Sequence, residues 1–212
     1  MNVLIGCEFS GVVREAFRAR GHNAYSCDLR PAADGSPFHL QGDVRGYLDR
    51  DWDLGIFHPT CTYLCNSSVW ALHKTPPNPS PGVLYGSARM RAVEESAAFF
   101  VECLNAPIPK VAVENPIMHK YARAIIGQPY AQIVHPHQFG DDASKATCLW
   151  LKGLPPLFPT RIIAPRMVNG KPRWSNQTDG GQNKLTPSDD RWAKRSETYP
   201  GIAAAMAEQW TT

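Results

Sequence analysis

Residues 53–63 read DLGIFHPTCTY, and further along the chain residues 110–116 read KVAVENP. Each segment opens with a short apolar run of the kind that forms a buried strand. A cysteine follows the first run and a glutamate follows the second. Because the carboxyl ends of parallel strands meet at one edge of an α/β sheet, we expect Cys61 and Glu114 to face the same crevice. This pair suits the addition of a thiol to an electron-poor ring, with the carboxylic acid protonating that ring.

Strand and helix patterns alternate on both sides of these two segments. We predict strands over 3–6, 23–27, 52–57, 110–113, 132–135 and 148–151, and helices over 11–20, 86–104 and 118–126. Such alternation predicts a doubly wound, mostly parallel α/β sheet. We expect a catalytic and cofactor-binding domain over 1–152, a small irregular basic excursion over 153–187, and C-terminal helices over 188–212 that pack back on the domain.

The composition fits one soluble domain. The chain has 212 residues, a net charge of +3 and six cysteines, which is enough for a single core. The sequence shows neither a bilayer-spanning apolar stretch nor a signal peptide, so we expect a cytoplasmic protein with reduced thiols and no membrane partner. Residues 152–195 carry nine Lys and Arg against three Asp, a local net charge of +6. This segment indicates a polyanionic partner, with a solvated basic loop as the alternative.

The N-terminal part of the sheet indicates a nucleoside pocket. Residues 8–11, EFSG, follow the first strand as a tight turn into a helix, where backbone N–H groups could face a ligand; a plain connecting turn is the alternative. Asp28 ends the second strand, where an acid usually binds ribose hydroxyls. Asp43 opens the next element and could accept a hydrogen bond from an adenine amino group. A Lys-Ser/Thr phosphate loop is missing from the sequence, so we expect no triphosphate ligand.

The order of these motifs resembles that of the DNA cytosine-C5 methyltransferases. A Phe-x-Gly turn follows strand one, an acid follows strand two, and Gly-Asp, Pro-x-Cys and Glu-Asn-Pro come after them. Residues 185–187, LTP, followed by residues 199–201, YPG, are similar to that family's late segment before the closing helix. The resemblance covers most of the chain. It implies a Rossmann-like methyltransferase fold, S-adenosylmethionine as cofactor, and C5 of cytosine in double-stranded DNA as substrate.

The resemblance also implies catalytic roles for individual residues. Cys61 would be the nucleophile and Glu114 its acid partner, while Asn115 would help to fix the loop. Lys145 stands where the family's arginine-rich motif should be, and we count it with the catalytic residues. Because the recognition region is much reduced, so compact a chain is typical of a bacteriophage or prophage gene. We therefore expect a monomer that acts in the cytoplasm of a bacterial or phage-infected host cell.

Two further sets of residues follow from the same resemblance. Phe9 would stack on the adenine of the cofactor, Asp28 would bind its ribose, and Asp43 would touch its adenine. The expected cofactor contacts are Glu8, Phe9, Ser10, Gly11, Asp28, Leu29, Asp43, Val44 and Pro59. The expected DNA contacts are Thr62, Arg161, Arg166, Lys171, Arg173, Trp174 and Lys184.

The implied reaction makes demands on both ionisable groups. A thiolate must add at C6 before C5 of cytosine becomes nucleophilic, and a free cysteine is mostly protonated near neutral pH. We expect the strand-end position to lower the pKa of Cys61, and burial to raise the pKa of Glu114 so that it can donate to N3. The base must be flipped out of the duplex. The basic excursion would neutralise phosphates and read a short site.

Other interpretations stay open. Cys61 could be a structural thiol, and Glu114 could cap the helix predicted over 118–126. A zinc site is a further alternative, from His58, Cys61, Cys65 and His73. Because Thr60 separates Pro59 from Cys61, and the arginine motif is missing, the chain could instead bind cofactor and DNA without chemistry. The same thiol chemistry could also act on RNA cytosine or use a different one-carbon donor.

Overall fold

A computed structural model describes residues 1–188 and 191–211, apart from the side chains at positions 68 and 192. The strands within these residues are β1 (Asn2–Gly6), β2 (Asn23–Asp28), β3 (His39–Gln41), β4 (Leu54–Phe57), β5 (Lys110–Pro116), β6 (Gln132–Val134), β7 (Thr147–Lys152), β8 (Arg166–Val168) and β9 (Lys171–Arg173). The helices are α1 (Val12–Arg18), α2 (Gly86–Leu104), α3 (Lys120–Ile126), α4 (Arg191–Ser196) and α5 (Pro200–Gln209). Short 3-10 helices cover Val44–Tyr47, Asn66–Leu72 and Pro136–Gln138.

Seven strands form one sheet in the order β3-β2-β1-β4-β5-β7-β6. Neighbouring strands from β3 to β5 are parallel, whereas β7 runs antiparallel to β5 and to β6. This arrangement confirms the predicted doubly wound, mostly parallel α/β fold. The chain winds from β1 outward to β3 and then returns to place β4 on the other side of β1. The carboxyl ends of β1 and β4 therefore flank a topological switch point, where such sheets bind ligands.

Helices cover both faces of the sheet, because successive residues of a strand point to opposite sides. In β1, Leu4 packs into a cluster that includes Phe100 of α2. Its neighbour Ile5 packs into a second cluster with Phe17 of α1 and Met206 of α5. All five of these side chains are fully buried. Continuous apolar strands are what a sheet with two covered faces requires, which explains why the strand patterns were readable from the sequence.

The end of β5 differs from the prediction. The strand continues through Glu114 and Asn115 to Pro116, because β7 pairs antiparallel with its last residues. Glu114 therefore lies within a strand rather than after it. The next helix begins at Lys120 and is capped by His119, whose side chain accepts a hydrogen bond from the backbone N–H of Ala122 at 3.1 Å. The alternative in which Glu114 caps this helix is therefore wrong.

The basic excursion is more regular than expected. β8 and β9 form an antiparallel hairpin that turns at Asn169 and Gly170, and both turn residues have positive φ angles, 50° and 73°. An Asn-Gly pair between short strands is the usual sequence signal for such a turn. In the predicted C-terminal region 188–212, helices α4 and α5 are present, and residues 189, 190 and 212 lie outside the described residues. None of the described helices combines the length and apolar character that spanning a bilayer requires.

Candidate active site

The turn after β1 is organised by a buried carboxylate. Glu8 is 5% exposed, and its two oxygens accept hydrogen bonds from the backbone N–H groups of Val13 at 2.7 Å and Arg14 at 3.2 Å. These N–H groups open helix α1, so the positive end of the helix already holds an anion. Burial raises the pKa of Glu8, although His58 and the two N–H bonds oppose that shift. A phosphate would have to displace this carboxylate, which agrees with the expectation of no triphosphate.

The missing side chain of Gly11 leaves space beside the turn, but the guanidinium of Arg14 fills that space instead of a ligand. Gly11 is left-handed, with φ of 78°, and a Cβ built on it would lie 2.3 Å from Nη2 of Arg14. Arg14 is fully buried; it donates to Ser26 Oγ at 2.8 Å and forms an ion pair with Asp34. The space above the turn is therefore filled by this chain's own guanidinium, and Ser10 points toward Glu8, with its Oγ at 3.4 Å from Oε1.

The expected adenosine contacts fall into two groups. Phe9 is partly exposed and has the guanidinium of Arg30 5.7 Å from its ring centroid. Asp28 is also partly exposed and accepts from the Arg30 backbone N–H at 3.0 Å, and Leu29 is 73% exposed. These three residues line one surface at the ends of β1 and β2.

The other two predicted adenosine contacts, Asp43 and Val44, already make contacts within the protein. Asp43 caps the 3-10 helix that follows β3, and both of its oxygens accept hydrogen bonds from Arg45, at 3.0 and 3.1 Å. The Val44 side chain lies in the core and is 4% exposed. Val44 can therefore meet a ligand only through its backbone, and Asp43 only by sharing its oxygens.

A small cavity of about 50 Å³ lies where the turn after β1 meets the loop after β4. Its lining consists of Cys7, Glu8, Phe9, Ser10, His58 and residues 196–198. A volume of this size accepts a small group rather than a nucleoside. A nucleoside would therefore have to lie on the open surface beside Phe9 and Leu29, with only its reactive end in the cavity.

The deepest polar contact of the site joins His58 to Glu114. His58 Nδ1 lies 3.2 Å from Glu114 Oε2, and the two side chains are 12% and 9% exposed. Thr198 Oγ1 donates to the same oxygen at 3.3 Å. Burial alone would raise the pKa of Glu114, but the hydrogen bond and charge of His58, together with Lys145, lower it to about 2. Burial lowers the pKa of His58, and Glu114 outweighs that effect and raises it above the ordinary value.

The ion pair corrects the expected direction of the Glu114 pKa shift and adds His58 to the site. The sequence argument has burial raising the pKa of Glu114, and that direction is wrong, because it leaves out the cation beside the carboxylate. The sequence argument names His58 only as an alternative zinc ligand and gives it no role beside Glu114. Its one sequence signal is its place at the end of the apolar run 54–57, the same edge of the sheet as Glu114.

Asn115 holds the loop that carries Cys61. Its Nδ2 donates to the carbonyl of Pro59 at 2.9 Å, and the side chain is 1% exposed. Further along the loop, His119 Nε2 lies 2.8 Å from the carbonyl of Tyr63. The backbone N–H of Cys65 donates to the carbonyl of Cys61 at 3.1 Å. Strand β5 and helix α3 therefore fix both ends of the turn that begins at Cys61.

The Cys61 thiol interacts electrostatically with the thiol of Cys65, whose sulfur lies 3.0 Å from Ser67 Oγ. This interaction favours a single thiolate in the pair and opposes a second one. It raises the pKa of Cys61, assisted by burial, and lowers the pKa of Cys65 to about 5. The expected low pKa of Cys61 is therefore wrong for this arrangement, because a neighbouring thiol, absent from the sequence argument, holds the negative charge.

Lys145 connects the thiol and the carboxylate. Its ammonium group is near enough to both to lower the pKa of Cys61 and that of Glu114. Its Nζ donates to the carbonyl of Glu197 at 3.2 Å and lies 5.9 Å from the ring centroid of Tyr199. The structure thus brings Cys61, Glu114, Asn115 and Lys145 to one edge of the sheet.

Several of the predicted DNA contacts form ion pairs, hydrogen bonds or ring contacts with other residues of this protein. Arg166 pairs with Asp179, and Arg173 donates to the carbonyl of Asp179 at 3.1 Å. The ring of Trp174 stacks on His137, with centroids 4.2 Å apart and planes 17° from parallel. Trp174 therefore anchors the excursion to the main domain, which argues against a loosely held loop. The predicted contacts that are exposed are Thr62, Arg161, Arg166, Lys171 and Lys184, and of these Arg166 is already paired with Asp179.

The structure does not assemble the alternative zinc site. His58 faces Glu114, and His73 Nε2 lies 2.9 Å from the hydroxyl of Tyr121. Within residues 1–188 and 191–211, no three His, Cys, Asp or Glu side chains converge in a way that could hold a metal ion.

Comparison with known proteins adds fold-level similarity only. No protein-family model matches the chain, and no curated protein matches its sequence significantly. Among solved structures, an E. coli prophage-encoded protein assigned as a DNA modification methyltransferase is 15% identical with a TM-score of 0.47, over 80% of this chain and 53% of the other. A mutant of Spodoptera frugiperda DNMT2 is 12% identical with a TM-score of 0.36, over 81% and 57%.

A third solved structure is that of WbdD with a kinase inhibitor, which is 13% identical with a TM-score of 0.36, over 72% of this chain and 36% of the other. The chain thus spans less than two thirds of the length of each of these three proteins. At these identities and scores the similarities carry no functional argument, so function has to be argued from the site.

Proposed function

We propose that the protein transfers a methyl group from S-adenosylmethionine to C5 of cytosine in DNA, through a covalent adduct with Cys61. The observation that carries this proposal is the placement of a thiol, a buried acid and a lysine at one edge of the sheet. Asn115 joins the strand of the acid to the loop of the thiol, at 2.9 Å from Pro59. This edge adjoins the topological switch point, where the turn after β1 opens.

The turn after β1 fits a cationic nucleoside better than a phosphorylated one. Glu8 occupies the N-terminus of α1, which leaves no free anion site there and adds negative charge to the cavity wall. Phe9 and Leu29 offer apolar surface for an adenine ring, and Asp28 lies beside them for ribose hydroxyls. The bound cofactor would supply an electrophilic methyl group on a positively charged sulfur.

The chain's own residues prepare the base. Cys61, as a thiolate, forms a bond to C6 of an extruded cytosine, and this addition makes C5 nucleophilic. Glu114 faces N3, where negative charge develops during the addition. Lys145 stabilises both negative groups, and Asn115 keeps the Cys61 loop in place. In the wild-type pair the negative charge reaches Cys61 when the Cys61 proton moves to the Cys65 thiolate, whereas in a variant without Cys65 the interaction that raises the pKa of Cys61 is absent.

The excursion supplies the surface for DNA. The exposed side chains of Arg161, Lys171 and Lys184 can neutralise phosphates, while the stacked Trp174 fixes the excursion to the catalytic domain. In this assignment residues 1–152 perform the chemistry, residues 153–187 bind DNA, and the C-terminal region closes the cofactor cavity through residues 196–198.

A tritium-release assay tests this function. Duplex DNA containing [5-³H]cytosine should lose tritium in the presence of protein and S-adenosylmethionine, because the methyl group replaces the C5 hydrogen. The Cys61→Ser variant should release none, whereas Cys65→Ser, four residues further on, should retain release. Tritium release from transfer RNA alone, with none from DNA, would contradict the DNA substrate.

A binding module without chemistry is the second candidate. The raised pKa of Cys61 favours it, because a thiol that ionises late is a poor nucleophile at neutral pH. Binding of S-adenosylmethionine and of duplex DNA, with no tritium release and no effect of Cys61→Ser, would select this candidate.

A further inference from the structure

His58 is a buried ionisable residue at the boundary between two parts of the site. On one side its Nδ1 meets Glu114 Oε2 at 3.2 Å. On the other side the ring lines the cavity next to Glu8. Its Nε2 is buried and makes no hydrogen bond to any described residue. A buried ring nitrogen without a partner is costly, so a polar group brought in by a ligand would be favoured at this point.

We propose that His58 is the proton source for Glu114: the two side chains share one proton, and the pair delivers it to N3 of the pyrimidine when the thiol adds. This inference rests on the proposed function and deepens it. It answers the difficulty that Glu114, as a carboxylate, has no proton of its own to give.

The proton balance of the step is complete. The bond between Cys61 Sγ and C6 forms, the C5=C6 electron pair moves to C4=C5, and the C4=N3 pair moves onto N3. N3 takes a proton from the carboxyl group of Glu114, which takes one from Nδ1 of His58. The C4=C5 pair then forms the bond from C5 to the methyl group that the bound donor would supply, the former S–CH3 pair stays on the donor sulfur, and the N3 pair restores C4=N3. Water takes the C5 hydrogen as a proton, the C5–H pair forms C5=C6, and the C6–S pair returns to Cys61. N3 returns its proton to Glu114 and His58, and the pair recovers its starting charge.

The geometry of Glu114 supports delivery to a ligand. Both hydrogen bonds that Glu114 forms with described side chains end on Oε2. The second oxygen, Oε1, has no such partner, so it is the atom that can face a base. Because Thr198 also donates to Oε2, the carboxyl plane is held from two sides, and a change at His58 would not free it completely.

The charge on His58 depends on every ionisable group around it. Glu8 from the turn after β1 and Glu114 from β5 both raise its pKa, while burial and Lys145 lower it. Glu197 and Cys7 line the same cavity. The balance raises the pKa of His58 above its ordinary value, and the proposal requires the ring to be protonated at neutral pH.

The first test measures the charge state directly. A ¹⁵N-histidine titration of the wild-type protein should show the His58 ring still protonated at pH 7. In Glu114→Gln the same ring should lose its proton at a lower pH, because its counterion is gone. A neutral His58 ring in the wild type at pH 7 would overturn the proposal, whatever the protein's activity.

The second test measures the rate of tritium release in a single turnover as a function of pH. His58→Gln, which keeps an N–H donor but cannot ionise, should lower the rate by about 100-fold or more and remove the alkaline loss of rate due to His58. His22→Gln, at the opposite end of the sheet, is the control and should change neither. A purely structural role would lower the rate without changing the pH profile, and that result would contradict the proposal.

The two tests separate this proposal from the proposed function. If the wild-type protein releases no tritium from any cytosine polymer, the methyl transfer is wrong, and the titration still decides whether His58 and Glu114 share a proton. If His58→Gln does not fold, the titrations of the wild type and of Glu114→Gln decide the same point.

Discussion

The loop after β4 takes part in two pairs of ionisable side chains, His58 with Glu114 and Cys61 with Cys65, that respond to burial in opposite ways. His58 and Glu114 carry opposite charges, so each keeps the other ionised in a dry environment. Cys61 and Cys65 are alike, so the ionisation of one opposes the ionisation of the other. Burial alone would have raised the pKa of both Glu114 and Cys61. The comparison teaches that the partner decides the direction of the pKa shift at this site, more than the depth of burial does.

The largest expected effect comes from breaking the oppositely charged pair. Glu114→Gln leaves His58 without its counterion in a buried place, and we expect the free energy of unfolding to fall by about 3–5 kcal/mol. Denaturant unfolding at pH 7 measures this loss. Glu208→Gln is the matched control, because its partner Arg20 forms an exposed pair at 3.3 Å; its effect should stay below about 1 kcal/mol. Equal losses in the two variants would contradict a stabilising pair at His58.

The pH dependence of stability should show the same pair. The pKa of Glu114 lies below that of an unfolded glutamate, so its contribution is present above pH 4.5 and is lost as the pH falls toward about 2. The pKa of His58 lies above 6.5, so its contribution is full below that pH and is lost as the pH rises through the raised value. Urea unfolding from pH 2 to 9 should give a curve that falls at both ends, and Glu114→Gln should flatten it.

The thiol pair should show a smaller, kinetic effect. At neutral pH iodoacetamide should modify Cys65 before Cys61, because the pKa of Cys65 is lowered to about 5. In Cys65→Ala the interaction that raises the pKa of Cys61 is gone, so modification of Cys61 should become faster, roughly tenfold for each pKa unit recovered. Peptide mass spectrometry locates the label. The fully buried Cys103, whose pKa burial raises to about 12, serves as an internal control and should stay unmodified in the folded protein. Faster labelling of Cys61 than of Cys65 in the wild type would contradict the assignment of the charge.

The smallest expected effects concern DNA binding. Lys171→Ala and Lys184→Ala should each weaken binding similarly for all sequences and reduce the slope of log affinity against log salt by about 1. Fluorescence anisotropy with a labelled duplex at several salt concentrations measures this slope. Arg20→Ala, which lies outside the excursion, is the control for loss of positive charge. An unchanged slope in both lysine variants would place the DNA elsewhere.

The sequence predicted the sheet well because its strands are continuous apolar runs, such as residues 3–6 and 54–57. β3 was missed because it has only three residues, and its place is set by pairing with β2 rather than by its own pattern. The excursion was taken as irregular, although the Asn169-Gly170 pair marks its hairpin.

For the candidate site, the sequence predicts a shared edge for Cys61, Glu114 and Asn115, but it does not predict the electrostatics there. The edge that Cys61, Glu114 and Asn115 share follows from strand ends, which periodicity can locate. The partners of Glu114 and Cys61 depend on which side chains the pairing of strands β1, β4 and β5 brings together. His58 before a proline and Cys65 one turn after Cys61 carry no such signal in the sequence, so both pKa directions were wrong.

The central claim is that Cys61 attacks an extruded cytosine beside a bound methyl donor, and trapping measures it most directly. The protein is incubated with S-adenosylmethionine and a duplex containing 5-fluorocytosine, from which the adduct cannot be released after methyl transfer because fluorine replaces the C5 hydrogen. We predict a covalent protein–DNA complex on a denaturing gel, with the linkage located to Cys61 by peptide mass spectrometry and lost in Cys61→Ser. A protein that binds both S-adenosylmethionine and the duplex but forms no complex, or forms it through another cysteine, would contradict the account.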